Sequence, residues 1–183
     1  GRDLVLRGIA QKPNGGKTSK QSAHFVCTSC HNVKPVDPNP ANPDPQARLD
    51  YSLRQKEPFL QGSPLYGVVN RETFYNGDYQ KKYADVENIK EANTNLREAI
   101  QVCAVVCSQG RPLKDWEMES VLTYLWSIEM KVGDLNLSKE DKDWLETALN
   151  EGASADNLTK FKSFYLQAMP ATFGLPPESR KKG

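Results

Sequence analysis

The sequence predicts an all-α protein with long irregular connections, and three observations carry that prediction. Apolar residues recur at helical spacing in several stretches of the second half of the chain. No stretch sustains the period-two alternation that would build a sheet. The segments between are dense in Pro, Gly and Asn, which end regular structure and leave loops. With 183 residues the chain can bury one main core plus a small appendage. The division expected is a main domain at 1–133 and a helical C-terminal extension at 134–183.

Taken in order, residues 1–16 offer a short apolar patch, LVLRGIA, and a turn signal, KPNGG. A helix is expected from Thr18, capped by Thr18 or Ser19 and closed by Cys27-Thr28-Ser29-Cys30-His31. Pro35, Pro38, Pro40, Pro43 and Pro45 then remove backbone donors too often for helix or central strand, so a stiff surface loop follows. The stretch FLQGSPLYGVVNRETFYNGDYQKKY reads as irregular backbone packed on something. From Asn93 or Thr94 a helix places Leu96, Ile100 and Cys103 on one stripe, with Ala99, Val102 and Val106 beside it, and stops near Gly110 and Pro112. A stronger helix runs through LKDWEMESVLTYLWSIEM, with Met118, Val121, Leu122, Leu125 and Ile128 in register. Ser138 and Asp141 form a variant capping box for a helix that aligns Trp144, Leu145, Ala148 and Leu149. ADNLTKFKSFYLQA makes one more, with Leu158 and Phe161 inward.

Lys and Arg total 24 against 23 Asp and Glu, a net charge of +1 that gives no electrostatic basis for binding nucleic acid. No apolar run approaches the roughly 20 residues of a membrane span. The opening GRDLVLRG has neither an initiator Met nor the regions of a secretory signal, and reads as a processed or trimmed piece.

The chemistry concentrates in Cys27-Thr28-Ser29-Cys30-His31. Two thiols on one turn, followed at once by an imidazole, suit covalent attachment of a c-type haem: the thiols add to the vinyl groups and the histidine ligates the iron. Zinc would want a second ligand pair, and Cys103 and Cys107 have no suitable histidine partner. A thioredoxin-type dithiol would want a buried strand before the motif, where KTSKQSAHFV is polar. Arg111 has a guanidinium fork suited to a haem propionate, although a solvated arginine is an equal reading.

The succession of CTSCH, GSPLYG, NLREAIQVC and LKDWEMESVLTYLW resembles the order of parts in the class I cytochrome c domain, over roughly residues 17–131. The resemblance implies cytochrome c-like helices with irregular loops around one haem c per chain. It implies that Pro64 turns its carbonyl toward His31, and that Tyr124 or Trp126 supplies the aromatic of a final helix crossing the first. The family's sixth iron ligand is usually a methionine between those last two helices. Between Asn93 and Leu113 this chain has no Met or His, and has Cys103 and Cys107 instead.

Cys107 stands where that methionine is expected. Cys103 resembles the iron-ligating cysteine in the haem-bearing A subunit of the thiosulfate-oxidising Sox cytochrome, without that segment's arginine. Met169, in AMPATF, and Met130 are further candidates; His24 is on the wrong side. The pair could instead be inert thiols or a disulfide. Within an intact helix, residues four apart hold Cβ atoms about 5–6 Å apart where the bond wants about 3.8 Å, so a disulfide needs the helix to unwind near Val106.

Electron transfer by one covalent haem is the expected function, a carrier or electron-transfer subunit rather than an enzyme. The alternative is the haem subunit of an enzyme oxidising reduced sulfur compounds such as thiosulfate, with cysteine-ligated iron. Redox proteins are the expected partners, within a larger respiratory complex in one variant of the reading. Lys81 and Lys82 are a possible docking patch. Covalent haem attachment places the protein in a periplasm or on the outer face of a membrane.

Overall fold

The computed structural model describes residues 1–36, 45–58, 60, 62–75, 81–135 and 137–150. The expected helix around 155–168, Met169, and most of the proline-rich loop lie outside them. Helices α1 (Arg2–Arg7), α2 (Pro45–Gln55), α3 (Ile89–Ala92), α4 (Leu96–Val102), α5 (Asp115–Ser127) and α6 (Lys139–Asn150) follow in that order. Among the described residues there is no β-strand, and pairing is limited to an isolated bridge between Gln11 and Lys17. The all-α expectation holds for this part of the chain, and no helix in it is long and apolar enough to cross a membrane.

The main core forms where α1 crosses α5. Met118, Val121 and Leu125 of α5 recur at helical spacing and are buried against Leu4 and Val5 of α1, with Val68 and Leu113 closing the cluster. Gly1 lies so close to α5 that a Cβ on it would stand 1.8 Å from the Ser120 carbonyl oxygen and 2.9 Å from Tyr124 Cβ. Tyr124 therefore takes part in the crossing, whereas Trp126 is 57% exposed. Glu117 anchors the start of α5, its carboxylate accepting from the Lys114 N–H at 2.9 Å.

The helix expected from Thr18 into the cysteines does not form. Side chains that compete with helical bonding decide the matter. Ser22 Oγ accepts from the N–H groups of His24 (3.1 Å) and Phe25 (3.2 Å), and donates to the Ser108 carbonyl at 2.6 Å. Gln21 Nε2 donates to the carbonyls of Ala104 and Arg111, both at 2.9 Å, and the Arg111 N–H returns to Gln21 O at 2.8 Å. Residues 18–26 are thus an irregular strap tied to 104–111, and the helix packed on α5 lies earlier, at Arg2–Arg7.

Pro45, expected in the loop, instead opens α2, where its fixed φ and missing N–H are harmless. Irregular backbone is found as expected across 62–75, with a single 3-10 turn at Val68–Asn70. Asn95 caps α4 by accepting from Arg97 N at 3.0 Å and Glu98 N at 3.4 Å. A second core cluster of Ile89, Ala92, Ala99 and Val102 lies under α3 and α4, with Tyr75, Tyr83 and Val106 against it. Ser138 caps α6 as one half of the expected box: Asp141 N donates to Ser138 Oγ at 3.1 Å, while the Asp141 carboxylate accepts from the Ser138 hydroxyl at 2.7 Å, and Leu145 is buried on the inner face of α6.

Candidate functional site

Cys27-Thr28-Ser29 form a 3-10 turn, and its local bonds fix both cysteines and the histidine on one short piece of backbone. Val26 N donates to Ser29 Oγ at 3.1 Å; Cys30 N and His31 N both return to Cys27 O, at 3.2 and 3.0 Å. Cys27 packs on the main core, and burial pushes its thiol up to about 11. That environment is opposite to the activated cysteine of a redox dithiol, whose thiolate is favoured.

His31 is held by the loop that follows α2. Its Nδ1 lies 2.6 Å from the Ser63 carbonyl oxygen. Since a carbonyl only accepts, Nδ1 carries the proton and the lone pair is left on Nε2. Burial, the largest cause, lowers the His31 pKa; Arg71 adds to this against the Ser63 bond, so the ring is neutral at pH 7. The loop is fastened at three further points: Gly62 N to Cys30 O at 2.8 Å, Leu65 N to Asn32 O at 2.6 Å, and Asn32 Nδ2 to Pro58 O at 2.8 Å. Gly62 lies flat on the imidazole, where a Cβ would come within 2.5 Å of His31 Nδ1 and 2.6 Å of Cys30 O.

The expected role of Pro64 needs correction. The carbonyl facing His31 belongs to Ser63, one residue earlier, while Pro64 is fully buried and its own carbonyl accepts from Arg71 Nη2 at 2.7 Å. The physical reason is Arg71, whose guanidinium also donates to Ser63 Oγ and so claims the proline's carbonyl for itself. Burial, followed by the charge of Arg48, brings the Arg71 pKa down to about 10.

Arg111 is likewise not poised for an external acid. Both terminal nitrogens hold Glu117 in a bidentate pair, at 2.7 and 2.6 Å, and Nη2 also reaches Ser19 O. It lines a surface cleft of about 380 Å³ with Lys12, Lys114 and Trp116, none of which belongs to the histidine loop. Burial opposes ionisation of Glu117, yet the Arg111 fork and the Lys114 N–H outweigh it and hold the carboxyl below the usual range.

Cys103 and Cys107 occupy a π-helical turn, Cys103–Cys107, at the end of α4. The Ser108 N–H bonds back five residues to Cys103 O at 2.9 Å, so the unwinding needed near Val106 is built into the chain. Both are free thiols whose side chains interact; Cys107 is exposed and Cys103 is more covered. Cys107 Sγ lies 3.7 Å from Tyr83 Oη, and Tyr75, which donates to Ala99 O at 3.2 Å, also reaches it. The Cys103 interaction, offset in part by burial and aided by Tyr83, Tyr75 and Lys82, brings Cys107 down to about 6. The same interaction, with burial and the nearby sulfurs of Cys107, Cys27 and Cys30, pushes Cys103 up.

Met130 is buried and its backbone is clasped by Asn70, while His24 is exposed with its ring near Phe25. Sequence reasoning did not find Arg71, Gly62, Ser63, Tyr75 or Tyr83. Only the glycine before Ser-Pro carried a signal, since Gly in an irregular segment marks close backbone approach. Among the described residues no group of three or more His, Cys, Asp and Glu side chains is arranged to hold a metal ion. No protein-family model, no curated protein and no solved structure matches the chain.

Proposed function

We propose that the chain carries one haem c, attached through Cys27 and Cys30 and ligated by His31, and passes electrons between redox proteins. The observation that carries this reading is the 2.6 Å contact between His31 Nδ1 and the Ser63 carbonyl. It fixes the ring as the tautomer whose Nε2 can bind iron, in the residue directly after the second thiol. Neither Cys27 nor Cys30 is in a disulfide, as thioether formation requires.

When bound, the haem supplies one-electron exchange between ferric and ferrous iron. The chain's residues do the rest. Ser63 O holds the imidazole's orientation and, by accepting its proton, raises the ring's donor strength. Arg71 clamps Ser63 and Pro64 and places a buried positive charge beside His31, which opposes gain of positive charge there. Gly62 excludes water from the Nδ1 side by close packing. Phe25, 43% exposed two residues before Cys27, offers an apolar contact for a partner near the attachment site.

Attachment of haem c implies maturation in a periplasm or on the outer face of a membrane. The sulfur-oxidising alternative, with Cys103 or Cys107 on the iron, has weaker support because those two sulfurs engage each other and Tyr83. The test is expression of the full chain with a haem c maturation system, followed by a haem stain on a denaturing gel and a pyridine haemochrome spectrum. A stained band with a c-type spectrum is expected; a chain that matures without covalent haem overturns the reading.

A further inference from the structure

We propose that Cys107 and Cys103 form a dithiol–disulfide exchange site, in which Cys107 attacks a disulfide substrate and Cys103 resolves the mixed disulfide. The exchange needs these two cysteines and their neighbours and does not require haem, although the sulfurs of Cys27 and Cys30 act on Cys103 from nearby.

The argument begins with backbone. In an α-helix, residues four apart keep their Cβ atoms too far apart for a disulfide, at about 5–6 Å. A π-helical turn takes in another residue, so the fifth residue stacks more nearly above the first and the two side chains interact. Opening the helix leaves the Ala104 and Cys103 carbonyls to be satisfied elsewhere, and they are: Gln21 Nε2, Gly110 N and Ser108 Oγ donate to Ala104 O, and Ser108 N to Cys103 O. The wide turn is thus held from the strap at 18–26 and from the residues that follow it.

Next comes the asymmetry of the pair. Cys107 is exposed, as a sulfur meeting a substrate must be, and Cys103, four residues earlier on the same turn, is the more covered of the two and interacts with it. Tyr83 Oη, 3.7 Å from the sulfur, is the hydroxyl placed to donate to a thiolate at Cys107, whereas Tyr75 gives its hydrogen to the Ala99 carbonyl. Among the described residues, the charged side chain acting on it is Lys82, whose Nζ lies 5.3 Å from the centroid of the Tyr83 ring. An exposed thiolate with hydrogen-bond donors, a nearby cation and a covered partner thiol is the arrangement that thiol–disulfide exchange requires.

The step balances without an outside oxidant beyond the substrate. The Cys107 thiolate attacks one sulfur of R–S–S–R′; a Cys107–S–S–R bond forms, the substrate bond breaks, and R′S⁻ leaves. Cys103 then gives its proton to solvent and attacks Cys107 Sγ, forming the intramolecular disulfide and releasing RS⁻. Two electrons pass from the cysteine pair to the substrate sulfurs, and a dithiol reductant reverses the sequence.

Oxidised glutathione is the probe, applied to the purified full chain, with thiols blocked and products read by mass spectrometry. The wild type is expected to gain a Cys103–Cys107 disulfide that dithiothreitol removes. Cys103→Ser is expected to stop at a glutathione adduct on Cys107, and Cys107→Ser to react at least tenfold more slowly. Tyr83→Phe keeps the ring and is expected to slow adduct formation at pH 6 about threefold, which guards against a serine variant that fails to fold. Unreactive thiols in the wild type, or adducts forming equally fast on Cys103 in Cys107→Ser, overturn the proposal. So does a low-spin thiolate–iron resonance signal in the haem-loaded protein that either serine substitution abolishes.

Discussion

Cys27 and Cys30 stand three apart on a 3-10 turn that makes its bonds locally, whereas Cys103 and Cys107 stand four apart on a turn opened wide and held by distant residues. Burial pushes Cys27 up to about 11, and hydrogen bonding brings Cys107 down to about 6. The same side chain is thereby held as a thiol in one region and drawn toward its thiolate in the other, in keeping with the proposed anchor and the proposed nucleophile. What separates them is the count of donors each sulfur meets and the exposure each keeps, and spacing contributes only by deciding which turn can form.

The comparison breaks most sharply at the anchor. Replacing Cys27 and Cys30 together by serine is expected to remove covalent haem completely, read as loss of the haem stain, while leaving glutathione reactivity at Cys107 unchanged. Loss of both properties would mean that the two regions are one site.

Second in size is the pH dependence of alkylation. Cys107 in the folded chain is expected to reach half its maximal rate with iodoacetamide near pH 6, against about 8.5 for an ordinary cysteine. Cys27 is expected to react only in alkali or after unfolding. A folded pKa below the unfolded one means that Cys107 stabilises the fold above its unfolded pKa, and that this contribution is lost as pH falls through about 6. Chemical denaturation across that range checks the sign, since Cys107→Ser should flatten the dependence.

Third comes Gly62→Ala. A Cβ at 2.5 Å from His31 Nδ1 and 2.6 Å from Cys30 O forces the loop off the imidazole, at about 1–3 kcal/mol of stability by denaturant titration. The Ser63 bond should loosen with it, seen as a change in the His31 Nδ1–H resonance, with Cys107 reactivity unmoved.

Legibility in the sequence differed between the same two regions. The role proposed for Cys27, Cys30 and His31 rests on adjacency, which any reader of the chain can see, and α5 announced itself through Met118, Val121 and Leu125. The helix expected at Thr18 failed because Gln21 and Ser22 find partners more than 80 residues away, and no local pattern reveals them. Pro64 was placed one residue off since the carbonyl choice is made by Arg71, eight positions beyond Ser63. The widened turn at Cys103–Cys107 was foreseen only as a condition for sulfur contact, and the two tyrosines beside it arrive through tertiary packing.

The smallest expected effect tests whether that packing can be moved on its own. Asn95 caps α4 through the N–H groups of Arg97 and Glu98, so Asn95→Ala should cost about 1 kcal/mol. α4 leads directly into the π-helical turn and carries Ala99, whose carbonyl accepts from Tyr75. Fraying at the cap is transmitted along α4 and loosens Tyr75 before it reaches the turn, so the Cys107 alkylation midpoint should shift toward the ordinary cysteine value by a fraction of a unit. The His31 loop hangs from Cys30, Asn32 and Arg71 and has no bond to Asn95, so haem retention should not change. A haem-binding defect in this variant would show that the two cysteine pairs share a support that the hydrogen bonds do not reveal.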